Sequence, residues 1–379
     1  MGLVLNEDQL MLKEAAAGFL ADKASIAELR RLRDEGNEVG YCKEVWQEMA
    51  GMGWPGVSIG EEFGGLGYGY TGLGIILEQM GRNLSNAPLQ ASILVGATII
   101  ERMASAKQKG DLLPRLAAGE ITVSLALQEG NHHLPNHTGL SGELTDNGYV
   151  LTGKKVFVVD AHVADKFLVV ARTSGTPGDE GGLSLFLVDS DAVGITRERV
   201  IMMDSHNSGI VSFEGVKVGA EALLGEPDEA YGPLMSCLDI ANIGIAAELL
   251  GLSQEAYDRT LHYLKERQQF GEPIGSFQAL QHRAAEMYTE LELARSIVLK
   301  ALLAVDAGED SIAALASACK AKMCAVASLV TNEAIQMHGG IGMTDEFDIG
   351  FFIKRARVLQ QLFGGYSYHL NRFAGLNGY

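Results

Sequence analysis

What most constrains this chain is where its apolar residues change period. From about residue 4 to 120 they recur every three and four positions, as in NEDQLMLKEAAAGFLADK, CKEVWQEMAGMG and TGLGIILEQMGR, which is helical spacing. From 121 the pattern becomes short β-branched or aromatic runs: GYVLTGKKVFVVD, KFLVVARTS, LSLFLVDSD and IVSFEGVKV. Gly, Asp and Pro divide them, as in strands joined by turns. After about residue 228 the chain is helical again, in long segments with few breakers at 231–266, 275–307, 310–339 and 345–375. Four such helices predict an antiparallel bundle. The predicted fold class is α+β: an N-terminal helical domain over 1–120, a central antiparallel β-barrel domain over 121–228, and a C-terminal four-helix bundle over 229–379.

Composition excludes several roles. A formal net charge of −18 argues against a nucleic-acid-binding surface and against docking on anionic lipid. No segment reaches the roughly 18 consecutive apolar residues of a membrane span, so no membrane insertion is expected. The N-terminus is amphipathic and of mixed charge, unlike a signal peptide. Cys42, Cys237, Cys319 and Cys324 lack metal-ligand spacing and read as reduced thiols, so the expected location is cytoplasmic. His132, His133 and His137 have no acidic or cysteine partners at metal spacing and read as a polar loop.

Two segments of the last region carry a resemblance: YLKERQQFGEPIGSFQALQHRAAEM at 263–287 and QMHGGIGMTDEFDIGFFIKRARVL at 336–359. Both are similar to the C-terminal domain of the acyl-CoA dehydrogenases, flavoenzymes that desaturate acyl-CoA thioesters between the α and β carbons. The Gly-rich EEFGGLGYGYTGLGIILEQMGR and the three-part order resemble the same family. The residues themselves suit FAD. Arg267 offers a donor fork for phosphate, Phe270 an aromatic surface, and Gly339, Gly340 and Gly342 a close backbone approach. Each also has a plain structural reading, as a helix end, a core plug or a helix–helix turn. The resemblance implies that Arg267, Gln269, Phe270, Gln336, Gly339 and Gly340 reach a neighbouring subunit's flavin, which makes the enzyme an obligate oligomer. It also implies an electron-transfer flavoprotein as acceptor.

The chain departs from the family elsewhere. Counted forward without a gap, the family's usual glutamate base falls on Gly364, in LFGGYSYHL, leaving only a backbone N–H to polarise the thioester carbonyl. A flavin-bonding threonine becomes Gln128 and a second becomes Val159, while Phe157 is kept and can cover the isoalloxazine. Groups lent to a neighbour are thus intact, and groups around the chain's own flavin are eroded. That asymmetry resembles the smaller subunit of heteromeric bacterial dehydrogenases of the pimeloyl-CoA and steroid side-chain type. The expected assembly is therefore a homo-oligomer or a heterotetramer with a paralogous subunit.

With the usual base gone, Glu248 is the expected catalytic carboxylate. It lies two turns beyond Ala241, where some family members carry the base, and Gly244 and Gly251 beside it would leave a slot that raises its pKa. Asp239, nearer the helix start and expected to be solvated, is the second candidate. Asn242 stands where the family often has an arginine. The alternative for Glu248 is an ion pair inside the bundle, with Arg283 or Arg295. The expected activity is FAD-dependent α,β-desaturation of an acyl-CoA, and the alternative is a scaffold subunit that only completes a partner's flavin site.

Overall fold

The computed structural model describes residues 3–379, and the chain packs as two compact units. The first comprises the stretch up to Glu35, Tyr70–Asn86 and Asn242–Tyr379; the second comprises Gly36–Gly69 and Ala87–Ala241. Eleven α-helices occur among the described residues: α1 Glu7–Lys23, α2 Ile26–Asp34, α3 Lys43–Gly51, α4 Gly69–Asn83, α5 Thr98–Met103, α6 Ala106–Ala117, α7 Tyr231–Glu266, α8 Gln278–Asp306, α9 Ile312–His338, α10 Ile349–Gln361 and α11 Tyr366–Leu376. The N-terminal helical region is therefore shared out: α1, α2 and α4 pack with the bundle, and α3, α5 and α6 with the sheet. Helix α7 begins in the second unit and ends in the first.

The bundle is built on close backbone contact. A Cβ on Gly251 of α7 would lie 1.8 Å from the Glu78 carbonyl oxygen of α4, and one on Gly81 would lie 2.1 Å from that of Glu248. Only glycine lets the two helices cross at this distance. The slot expected beside Glu248 is thus filled at Gly251 by the α4 backbone. The fourth segment of the bundle is two helices and not one. The chain breaks between α10 and α11, where Phe363 (φ 55°) and Gly364 (φ 105°) are both left-handed.

The second unit carries a sheet of eight strands: β1 Val123–Ala126, β2 Ser141–Thr145, β3 Gly148–Val159, β4 Lys166–Arg172, β5 Leu183–Asp189, β6 Ile195–Ile201, β7 Asn207–Val218 and β8 Leu223–Leu224. Their order is β6-β7-β3-β2-β4-β5-β8, with β1 parallel to β4. The expected barrel is corrected: among the described residues β6 and β8 form the two edges, so the sheet stays open, and it is antiparallel except where β1 and β2 each pair with β4 in parallel. Its buried face holds Leu151, Val158, Phe167, Val169, Phe186, Val211 and Phe213, the inward set that strand alternation supplies.

Two helical stretches, Tyr231–Glu266 and Ile312–Met343, are long and apolar enough to cross a bilayer by composition alone. The first is almost wholly buried within the protein, which core packing already explains.

Candidate functional site

Helix α7 ends at Glu266, and the next residues form a small hairpin, Gln268–Gln269 against Glu272–Pro273, turning through Phe270 (φ 56°) and Gly271 (φ 85°). Arg267 and Gln269 are exposed, and Phe270 is 92% exposed, touching the ring of Phe277 edge-on. Among the described residues no carboxylate ion-pairs with Arg267, so its guanidinium is unspent. Helix α9 ends at His338, and Gly339 (φ 64°) and Gly340 follow with no atom within 4 Å of a would-be Cβ. Gln336 is exposed on the last turn of α9.

One contact brings these two segments together. The Tyr263 ring, one turn before Arg267, stacks on His338 at 4.4 Å, and Phe347 closes on His338 at 5.0 Å. Behind the glycine turn, Arg33 holds Asp345 through two bonds of 2.8 and 2.9 Å, while Arg30 and Arg259 hold Asp348. All six predicted lending residues thus share one supported end of the bundle. A bare aromatic ring, an unpaired guanidinium and an open two-glycine turn fit a pyrophosphate and a ring system supplied from outside.

The second unit holds a cavity of about 330 Å³ lined by Leu127–Leu134, Pro135, His137 and Thr138. Gln128 faces it half-buried, its amide donating to the Gly130 carbonyl at 2.9 Å. Phe157 is half-buried in a left-handed conformation (φ 54°), at a bulge where the register of β3 against β7 shifts. Two residues unremarked in the sequence shape this cavity. Lys155 is fully buried and donates to the Leu127 carbonyl (3.0 Å) and to Glu129 (2.7 Å); Glu129 in turn accepts from the N–H groups of Gly139 and Leu140. Burial pushes the Lys155 ammonium down to about 8, with Glu129 opposing the shift. Among the described residues no three His, Cys, Asp or Glu side chains converge as a metal site.

Glu248 is 3% exposed and is held by Arg355 of α10, whose Nε and Nη2 donate to Oε1 at 2.8 and 2.5 Å. The ion pair expected as the alternative exists, but with a different arginine: Arg283 pairs with Glu333, and Arg295 with Glu78 and Glu292. Arg355 was legible in principle, because it falls on the buried stripe Phe351, Phe352, Arg355, Val358 and Leu359. Asp239 is buried and not solvated as expected.

The turn at Gly364 has no room for a carboxylate. A Cβ there would lie 2.4 Å from the Tyr368 ring and 3.0 Å from His369, at a φ that side chains rarely adopt. A one-residue shift in the count, to Phe363 or Gly365, still supplies no proton acceptor.

Known proteins resemble this chain in sequence and fold. Three family models match in chain order: the acyl-CoA dehydrogenase N-terminal domain over 6–120, the middle domain over 129–216 and the C-terminal domain over 232–374. The chain is 30% identical over 368 residues to a probable acyl-CoA dehydrogenase, YngJ, of Bacillus subtilis, covering 95% of each. The butyryl-CoA dehydrogenase of Megasphaera elsdenii superposes with a TM-score of 0.91 at 27% identity over the whole of both chains. A variant of the Tcur3481–Tcur3483 steroid ACAD superposes at 0.88 with 30% identity over 98% of each. With three domain models in order over most of its length, the chain belongs to the acyl-CoA dehydrogenase family, whose members use FAD to oxidise acyl-CoA thioesters.

Proposed function

We propose that this chain is a subunit of an oligomeric acyl-CoA dehydrogenase that desaturates an acyl-CoA thioester between its α and β carbons. The observation that carries the reading is the solvent-facing group of Arg267, Gln269, Phe270, Gln336, Gly339 and Gly340, gathered at one end of the bundle. Bound FAD supplies the hydride acceptor. Toward a neighbouring subunit's flavin, Arg267 would neutralise pyrophosphate charge, Phe270 would cover a ring face and the glycine turn would admit a close approach. On this chain's own side, Phe157 and Gln128 would border the isoalloxazine.

The assembly is a homo-oligomer or a heterotetramer with a paralogous subunit, and the chain itself corresponds to the smaller subunit of such pairs. The structural likeness to the Tcur3481–Tcur3483 steroid ACAD supports the second form. The electron acceptor is an electron-transfer flavoprotein. Glu248 is the α-proton acceptor in this reading, which requires the pairing with Arg355 to open when substrate binds. The Glu248–Arg355 pair also favours the second reading, a scaffold subunit whose carboxylate serves packing and whose partner holds the base.

Flavin content per chain, measured alone and after co-expression with an adjacent paralogue, tests the assembly. One flavin per chain alone means a homo-oligomer; none alone but one per unlike pair means a shared site. Arg267→Ala is expected to release flavin in either form, and full retention would sink the lending role. In the loaded enzyme, Glu248→Gln abolishes turnover under the first reading and leaves it intact under the second.

A further inference from the structure

A cavity of about 80 Å³ lies wholly within the first unit, between the start of the chain, α4, α7 and α8. Its long walls are two helical stripes. Helix α4 presents Thr71, Gly74 and Glu78, and α8 presents Arg295, Val298 and Leu302. Both sets follow the three-and-four spacing that places residues on one helix face. The two helices run antiparallel here: Arg295 Nη1 donates to Glu78 Oε1 at 3.5 Å, and Asp306, the last residue of α8, accepts from the Thr71 N–H at 2.9 Å. Gly74 sets their separation, since a Cβ there would lie 2.6 Å from Leu302 Cδ1.

Each end of the α4 stripe is polar. At one end Lys13 of α1 donates to Glu78 Oε1 at 2.9 Å, the same oxygen that Arg295 reaches. An ammonium has three N–H donors, and among the described residues Glu78 is the one acceptor for that of Lys13, so donors are left over. The side chains lining the cavity include two cations and one carboxylate, a net charge of +1 (2 − 1). At the other end Thr71 is completely buried, and its Oγ1 has no partner among the described residues. A buried hydroxyl left in this state is unfavourable unless something beside it takes its hydrogen bond. Seven residues of helix, about 10 Å, separate the two ends. At roughly 10–15 Å³ per water-sized centre, the space holds about five to eight non-hydrogen atoms.

We propose that this cavity binds a short carboxylic acid with a hydroxyl at its far end, of about four carbons by the volume just given. Its carboxylate accepts from the remaining Lys13 donors beside Arg295, its methylenes lie along Val298 and Leu302, and its hydroxyl pairs with Thr71 Oγ1. Cations, apolar walls and a lone hydroxyl, in that order along one face, match the three parts of such a molecule. Leu5, just ahead of α1, also lines the cavity, so occupancy clamps the N-terminal helix onto α4 and α8 through both Leu5 and Lys13. The proposal does not depend on the acyl-CoA reading.

The test is a ligand-observed NMR titration of the purified full chain, with whatever flavin it retains, against 4-hydroxybutyrate, butyrate and n-butanol. 4-Hydroxybutyrate is expected to saturate with a Kd on the order of 1 mM or below. It should bind about three- to tenfold more tightly than butyrate, for one hydrogen bond, and more than about tenfold more tightly than n-butanol, for a charged one. Thr71→Val keeps the shape and the main-chain bond to Asp306; it should reduce 4-hydroxybutyrate to the affinity of butyrate and leave butyrate unchanged. Lys13→Met should weaken both acids by about tenfold or more while changing n-butanol by less than about threefold. The two variants report separately, so either one that folds decides. No saturation by 4-hydroxybutyrate up to about 20 mM overturns the site. Equal affinity of the wild type for the two acids overturns the role of Thr71 and with it the hydroxy-acid assignment. Binding that persists undiminished in whichever variants fold places the acid elsewhere on the protein and overturns the proposal as well.

Discussion

Glu248 and Arg355 are each almost completely buried, so removing one charge strands the other. Arg355→Met or Glu248→Gln alone should cost about 3–5 kcal/mol in a urea melt, whereas an apolar replacement of both should cost much less. Equal costs for the single and double variants would show that the pair is not coupled. This prediction is about folding and stands whether or not Glu248 takes a substrate proton. Gly364 makes the opposite point, that an absent side chain can be structural. Its φ of 105° and the 2.4 Å approach of Tyr368 to a would-be Cβ mean that Gly364→Ala should lose about 1–3 kcal/mol. An unchanged melting point would show that the turn relaxes freely.

Helices read from periodicity survive where a helix is set by its own residues and fail where a neighbour decides. The long segments 231–266, 275–307 and 310–339 correspond closely to α7, α8 and α9, because few breakers interrupt their apolar stripes. The segment 345–375 looked continuous, yet splits at Leu362–Gly365. The deciding contacts there come from Lys320, Asn242 and His369, which no local pattern reveals. β3, β4, β5 and β7 were legible as strands, but β1, β2, β6 and β8, the open edges and the parallel β1–β4 pairing depend on long-range order. In the candidate site, Arg267, Phe270, Gly339 and Gly340 could be picked out because their exposed turns are local features. Glu248 was misplaced in a slot because nothing in α7 shows that α4 lies on Gly251. Gly251→Ala tests that crossing. A helix interior normally gains about 1 kcal/mol from this change; here the added methyl would meet a backbone carbonyl at 1.8 Å, and a net loss of about 1–3 kcal/mol is expected. A gain in stability would mean that the helices do not cross this closely.

Across the whole molecule, the buried ionisable groups set opposing pH dependences. Burial lowers Lys155 and Lys320 to about 8, against 10.5 for a free lysine. Below pH 8 both are charged in both states, and the cost of burying the charge is present in full. As pH rises from 8 toward 10.5 the native state releases these protons while the unfolded chain still holds them. Stability therefore climbs, by up to about 1.4 kcal/mol per pH unit for each lysine. The buried thiols act the other way. Cys237 and Cys319 are pushed up to about 12 and Cys324 is also raised, so above pH 9 the unfolded chain ionises first and stability falls. The sum is a stability maximum near pH 9 and not at neutrality. The two lysines lie in different units, and both tryptophans, Trp46 and Trp54, lie in the second. Urea midpoints followed by tryptophan fluorescence between pH 7 and 10 should therefore lose their rise in Lys155→Met, and the helical signal of the bundle should lose its rise in Lys320→Met. If the units unfold as one, each variant should remove about half of a single shared rise. A wild type whose midpoint stays flat from pH 7.5 to 9, or a double variant that still climbs, would show that neither ammonium carries the burial cost argued for it.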